Sequence, residues 1–279
     1  LLALVTSQGL PDSLRLLAGR LPETALVEAV RAQPVAVREA LSELMALAVN
    51  DRDPSARDRQ LAAARRLAAA YATAWRDSFL VREVARFAAS SPSRRAAKVR
   101  VDSVRRAAAA DFGRAGPRAA IAGWRRAYTR ARAISDTAGI AAVLGNIGVG
   151  FLAEDQLDSA GRYLGEARRL AAAVGDIRVE ANALVALAEV DAASGNHTPA
   201  QARYRQGLDL HQRIGDSRGV AADYNNLGLM AREVGDLAEA RRYFERALAL
   251  NRQNGRDEIA ATNLVNLAGL ASLAGDLAA

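Results

Sequence analysis

A repeat with a period of forty residues is the feature that most constrains how this chain can fold. Sliding the sequence against itself by forty residues aligns similar residues in five columns, which are Gly148, Ala188, Gly228 and Ala268; Ile147, Leu187, Leu227 and Leu267; Ala160, Ala200 and Ala240; Leu164, Tyr204 and Phe244; and Ala167, Gly207 and Ala247. A strict period of this length indicates a solenoid, because each unit must stack on copies of itself to bury its apolar face.

The clearest copy of the unit, residues 219–250, predicts two amphipathic helices joined by a turn. Gly235 suits the left-handed position that ends a helix, and Asp236 can cap the helix that follows. Gly228 allows the two helices to approach closely, and Phe244 fills the space between neighbouring hairpins. The pattern therefore predicts an all-α array of stacked helical hairpins.

The order of these columns resembles the tetratricopeptide repeat (TPR), specifically over residues 96–279 and more weakly before them. The usual repeat has about 34 residues, so this chain is similar to the long-repeat branch that includes kinesin light chain. Residues 221–278 also look similar to the repeat region of bacterial proteins that end in a caspase-like CHAT domain. The resemblance implies a TPR-type right-handed α-solenoid, with the first helix of each hairpin on the concave surface.

Three segments are expected along the chain. Residues 1–55 form a degenerate N-terminal helical region, residues 56–135 degenerate and basic TPR-like helical pairs, and residues 136–279 a regular array truncated in its last repeat. Helices are predicted over 35–48, 57–75, 78–89, 93–112, 117–134 and 258–273. The chain starts at Leu1 without methionine and ends three residues into an expected helix, which is typical of a fragment.

Positive charge is concentrated in the middle segment. Residues 56–135 hold 19 Lys and Arg against 5 Asp and Glu, whereas the net charge of the whole chain is +7. A basic surface can contact nucleic acid or an acidic protein surface, or it can be a solvated coat in an arginine-rich proteome. Aromatic residues do not alternate with the arginines, so nucleic acid is not favoured as a partner. A solvated coat is the favoured interpretation for most of these arginines.

Polar residues recur at the helical phase that faces the groove in arrays of this family. Asn146, Asn226 and Asn266 lie two positions before the small column, and Arg106 and Arg66 share that frame. An asparagine amide can hold the backbone of an extended peptide, and paired guanidinium groups suit carboxylates. Alternatively, the asparagines bond neighbouring helices and the arginines remain hydrated. The predicted peptide-binding residues are Asn146, Asn225, Asn226, Asn266, Arg232, Arg65, Arg66, Arg105 and Arg106.

Catalysis and metal binding are not predicted. The chain has no cysteine, which excludes a disulfide and a thiolate nucleophile. The glycine run 145–150 has the wrong spacing for a dinucleotide loop, and no strand precedes it. His197 and His211 have no metal-ligand or triad pattern around them, and both are expected at the surface. We expect no cofactor, no small-molecule substrate and no enzymatic activity.

Two classes of function remain. The first is a scaffold whose concave groove binds an extended, acidic peptide or protein segment. The second is the regulatory or sensor half of a larger protein, whose effector, such as a CHAT peptidase or a transcription regulator, lies outside this chain. A cytoplasmic location without membrane association is expected, because the apolar start is short and no apolar run is long enough to span a membrane. The last helix lacks its partner, so its bare face could support a homo-oligomer.

Overall fold

The computed structural model describes residues 10–273 and residue 275, and every regular element in that part of the chain is an α-helix. The helices agree with the sequence-predicted ones to within a turn. Their bounds are Leu10–Ala18 (α1), Glu23–Ala32 (α2), Pro34–Asn50 (α3), Pro54–Trp75 (α4), Phe79–Ala89 (α5), Pro92–Ala115 (α6), Pro117–Ala133 (α7), Thr137–Ala153 (α8), Leu157–Val174 (α9), Ile177–Ala193 (α10), His197–Arg213 (α11), Ser217–Glu233 (α12), Leu237–Gln253 (α13) and Asp257–Leu273 (α14).

The helices begin where capping residues stand in the sequence. Prolines occupy the first turn of α3, α4, α6 and α7, where the missing amide hydrogen is not needed. Four helices of the regular array, α8, α10, α12 and α13, are capped by aspartates, whose carboxylates accept a hydrogen bond from the backbone amide three residues further on. These caps are Asp136, Asp176, Asp216 and Asp236.

Residues 92–273 form a solenoid of helical hairpins. The hairpins α6–α7, α8–α9, α10–α11 and α12–α13 pack one on the next, and α14 begins a further unit. The predicted columns lie in the core, with Ala160, Ala200 and Phe244 fully buried. A Cβ atom at Gly228 would lie 2.6 Å from the Phe244 ring, so this helix contact requires glycine. These observations confirm the predicted all-α solenoid.

The first helices of the units, α6, α8, α10, α12 and α14, form what we call the concave wall. Among them α6 contacts α8, and α8 contacts α10. The wall is therefore continuous over α6, α8 and α10, as the repeat predicts.

Residues 10–89 form what we call the N-terminal bundle, in which α4 packs against α2, α3 and α5. Its core includes the fully buried Leu26, Val37 and Leu67. Ala138, in the first turn of α8, belongs to the same apolar cluster. The bundle and the solenoid therefore share one hydrophobic core at this place.

The N-terminal bundle rests on the edge of the solenoid where one unit turns into the next. Arg38 of α3 and Asp176 form a bidentate ion pair, with Nη1–Oδ2 and Nη2–Oδ1 distances of 3.0 and 2.6 Å. The Tyr71 hydroxyl donates a hydrogen bond to the carbonyl of Ile214 at 3.3 Å. The indole of Trp75 packs on Gly215, which has a φ of +68° and no room for a side chain. Helices α3 and α4 thereby bridge two turns of the array.

Candidate functional site

A cavity of 340 Å³ lies between the N-terminal bundle and the concave wall. Arg38 and Glu83, from α3 and α5, line it on the bundle side. Arg105, Asn146 and Arg178, from α6, α8 and α10, line it on the side of the solenoid. Two of the residues predicted from sequence, Arg105 and Asn146, therefore meet in one cavity, which the bundle covers.

Ion pairs between helices hold the rim of this cavity. Burial alone would raise the pKa of Asp176, but Arg38 and the Val179 amide outweigh burial and hold this pKa below its ordinary value. Burial on its own would lower the pKa of Lys98, whereas Asp102 and Asp136 raise it to about 12. Lys98 Nζ lies 2.7 Å from Asp136 and 3.5 Å from Asp102. Asp176 and Lys98 are therefore charged at neutral pH.

Arg178 lies in a different environment from the other cations. Burial, Arg38 and Arg105 lower its pKa, Asp176 and Asp216 oppose them, and the net result is a pKa of about 10. Its Nε atom is buried without a hydrogen-bond partner. Arg178 was not among the residues predicted from the sequence, although the next unit carries Arg218 forty residues further on.

The part of the groove beyond the cavity, formed by α12 and α14, carries most of the predicted asparagines. We call it the open half. The side-chain oxygen Oδ1 of Asn225 accepts hydrogen bonds from the side-chain amides of Asn263 and Asn266, both at 3.0 Å. Asn225 and Asn266 thus join neighbouring first helices, which was one of the two interpretations of the sequence. Asn226 is hydrogen-bonded to Glu189 of α10 instead.

Glu189 and Asn226 form the polar surface of the groove between α10 and α12. The Glu189 side chain is exposed, but the surrounding wall removes part of its hydration and raises the pKa of its carboxyl, as does the nearby Asp223, while the hydrogen bond from Asn226 lowers this pKa. Arg232 lies half-buried in the last turn of α12. The groove surface between α10 and α12 therefore presents an amide and a carboxylate group.

The other predicted arginines lie elsewhere. Arg66, on α4 of the bundle, donates to the carbonyl oxygens of Ala18 and Leu21. Arg65 is exposed on the same helix, and Arg106 is exposed on α6. The forty-residue frame placed Arg66 and Arg106 in one column, but α4 is a helix of the bundle and not of the concave wall. The structure does not bring these two side chains to a common site.

The expectation that both histidines lie at the surface is wrong for His211. The His211 side chain is 2% exposed, and its Nδ1 lies 2.6 Å from Asp223 Oδ2, a carboxylate with no exposed surface. The Nε2 atom of His211 lies 3.0 Å from the side-chain oxygen Oδ1 of Asn182. The ring fits because it packs on Gly219, where a Cβ atom would come within 2.6 Å of it. His197 is exposed, as expected.

The repeat itself contained the signal that His211 is buried. Positions 171, 211 and 251 form one column of buried residues, and positions 183, 223 and 263 form the column that faces it. The facing pairs are Ala171 and Ala183, His211 and Asp223, and Asn251 and Asn263. The last pair is bonded at 2.8 Å in the same way as the histidine pair.

No described helix is long and apolar enough to span a membrane. Within residues 10–273 no group of three or more His, Asp or Glu side chains is arranged to hold a metal ion. At the C-terminal end, Val265 and Leu273 of α14 are 70% and 65% exposed. The helix expected after Gly275 lies outside the described residues, so self-association through this end stays a prediction.

Comparison with known families identifies the repeat. Residues 179–253 and 220–279 match the family described as tetratricopeptide repeat. Residues 179–279 are therefore similar to tetratricopeptide repeats. Together with the helical hairpins described above, this match confirms the TPR solenoid fold. The CHAT resemblance stays a prediction, and no curated protein matches the chain.

Solved structures share the TPR solenoid fold over most of the chain. BtubC (BKLC) from P. vanneervenii is 22% identical with a TM-score of 0.52, and the match covers 85% of each chain. A Rap protein complexed with Competence and Sporulation Factor is 14% identical with a TM-score of 0.56, covering 95% of this chain and 72% of that one. Aspartyl phosphate phosphatase F from Bacillus subtilis is 12% identical with a TM-score of 0.55, covering 97% and 80%.

Proposed function

We propose that this chain is a protein-interaction scaffold that binds an extended, acidic peptide or protein segment in the open half of its groove. The observation that carries the proposal is the polar surface of α10, α12 and α14. Asn226 and Arg232 lie on it next to the Asn225–Asn266 bond, while the core columns beside them are apolar. Amides at one helical phase can bind the backbone of an extended segment without reading its sequence.

Arginine provides the preference for acidic ligands. Arg232 lies within the open half, and Arg65, Arg66, Arg105 and Arg106 remain proposed contributors to the positive field around the groove. Each exposed ion pair contributes only about 0–1 kcal/mol. Affinity therefore depends on several pairs together and falls as salt screens them.

A second candidate is the regulatory half of a larger protein, and the docked N-terminal bundle favours it. The bundle covers one part of the groove through the buried Arg38–Asp176 pair and leaves the other part open. The Rap protein of similar fold is complexed with a factor. An arrangement in which a ligand in the groove affects a docked helical unit is typical of a regulator. The effector would lie outside this chain.

Selection from a library of random displayed peptides tests the scaffold. We expect enrichment of peptides rich in Asp and Glu, whose binding weakens with added salt. The Asn226→Ala/Arg232→Ala variant should bind an enriched peptide at least about tenfold more weakly, since charged hydrogen bonds contribute about 1.5–3 kcal/mol each. Arg241→Ala, on the exposed face of α13, is the matched control and should bind normally. Equal binding by the double variant would place the ligand outside the open half.

A further inference from the structure

The cavity under the N-terminal bundle contains more positive than negative charge. Each carboxylate that lines it already has a cationic partner: Asp176 pairs with Arg38, Asp102 with Lys98, and Glu83 with Arg86. Two further cations, Arg105 and Arg178, also line the cavity. Among the described residues neither guanidinium group forms an ion pair or a side-chain hydrogen bond.

The two guanidinium groups repel each other and face the same space. Arg105 is close enough to Arg178 to lower its pKa, which burial and Arg38 already depress. The buried Nε of Arg178 has no partner, although buried polar atoms in folded proteins are nearly always hydrogen-bonded. Asp176 and Asp216 attract Arg178 without bonding to it. An anion in the cavity would satisfy both arginines at once.

Two amides on the same wall add hydrogen-bond donors. The side-chain oxygen of Asn182, a residue that lines the cavity, is occupied by His211, which leaves its amide nitrogen available. Within the described part of the chain that nitrogen has no partner, and neither has the side chain of Asn146. Donors of this kind complement carboxylate oxygens, which only accept.

We propose that this cavity binds a small dicarboxylate, held between Arg105 and Arg178, with Asn146 and Asn182 donating to its oxygens. Two uncompensated guanidinium groups match two carboxylates, which bind the planar fork of arginine with two hydrogen bonds each. The Arg38–Asp176 pair at the rim shows this geometry. The volume of 340 Å³ suits a small molecule.

The site is separate from the open half, so it stands without the proposed peptide binding. Its walls come from both the bundle and the solenoid. A ligand bound there contacts the two units together and stabilises their docked arrangement by mass action. The sequence led us to expect no small-molecule ligand, because Arg105, Arg178 and the bundle meet only in the folded protein.

Thermal unfolding and calorimetric titration of the whole chain with succinate test the proposal. Succinate at about 100-fold over its dissociation constant should raise the unfolding midpoint by about 5 °C or more. Arg178→Gln and Arg105→Gln should each weaken succinate binding at least about tenfold. Arg126→Gln, exposed on α7 and outside the cavity lining, should leave the affinity for succinate unchanged. Arg105 has no structural partner, so its variant folds even if Arg178→Gln does not.

Three further ligands decide between succinate and other anions. Acetate and inorganic phosphate at equal concentration should each shift the midpoint less than succinate does. The proposal is overturned if phosphate and succinate act equally, because that indicates a general anion effect. It is also overturned if only an acidic peptide binds, or if both glutamine variants keep full affinity for succinate. Asn226→Ala/Arg232→Ala should bind succinate normally, which separates this site from the peptide groove.

Discussion

The facing positions 211 and 223 show how one buried contact changes from unit to unit of the solenoid. The same two places hold two alanines in the preceding unit, His211 and Asp223 here, and two asparagines in the next. Each pair is buried and self-complementary, because a buried polar group without a partner costs about 1–3 kcal/mol. The two positions therefore change together, and replacing one residue of a pair should lower the stability of the fold more than replacing both.

We expect the His211→Asn/Asp223→Asn variant, which copies the Asn251–Asn263 bond, to be at least as stable as the natural chain. Burial raises the pKa of Asp223, although His211 opposes the shift. Ionising this carboxyl therefore costs stability as pH rises above its ordinary value of 3.8, and the asparagine pair lacks that cost. Asp223→Ala alone leaves His211 unpaired and should lose about 1–3 kcal/mol. Urea unfolding at neutral pH measures the stability of both variants. A double variant less stable than Asp223→Ala would contradict this prediction.

One buried ion pair connects helix α3 to a helix of the solenoid. Arg38 of α3 and the α10 cap Asp176 lie 138 residues apart in sequence, and Asp176 is 3% exposed. A buried pair of this kind is weak evidence for net stabilisation, since both charges lose water. Removing one partner is different, because the other charge remains buried without compensation.

Arg38→Met should destabilise the chain by about 3–5 kcal/mol, because Asp176 is then an uncompensated buried charge. The double variant Arg38→Met/Asp176→Asn should recover most of that loss, since asparagine still caps α10 and carries no charge. A double-mutant cycle in urea, with Arg126→Gln as a surface control, measures the coupling. Additive effects of the two single changes would mean that the pair does not hold α3 in place.

At the scale of the whole molecule, two units share one interface whose strength depends on pH. The pKa of Asp176 lies below its ordinary value of 3.8, because Arg38 and the α10 amide outweigh the effect of burial. A group with a lowered pKa stabilises the folded state above its unfolded value and loses that contribution as pH falls through the folded value. Docking of the bundle should therefore be constant near neutral pH and weaken in acid.

We expect acidification below about pH 4 to release the bundle before the solenoid unfolds. Trp75, which packs on Gly215, reports docking in a Trp124→Phe background, where it is the single tryptophan of the two in the sequence. Its emission should shift to the red while helical circular dichroism persists. Asp176→Asn should remove most of the pH dependence. A red shift that coincides with loss of helix, in both proteins, would show that the units unfold together.

The period of forty residues was sufficient, without the structure, to predict the helices, their caps and the core columns of the array. Hairpin packing repeats the same contacts at a fixed sequence distance, so Ala160, Ala200 and Ala240 take equivalent buried places. The resemblance to tetratricopeptide arrays implied the phase of the groove and hence Asn225, Asn226 and Asn266 as predicted binding residues. Caps such as Asp176 depend only on residues within one turn.

Only the tertiary structure decided where the N-terminal helices dock and what the groove contains there. Arg38, Tyr71 and Trp75 contact the array across separations that follow no period, so no alignment of the chain with itself could reveal them. Arg66 lies in the same forty-residue column as the predicted asparagines but belongs to the bundle. Arg178 lies outside that column and lines the cavity. Contacts within a repeat are local and recur in every unit. Docking of the bundle on the solenoid depends instead on complementary shape and charge at one interface that is not repeated.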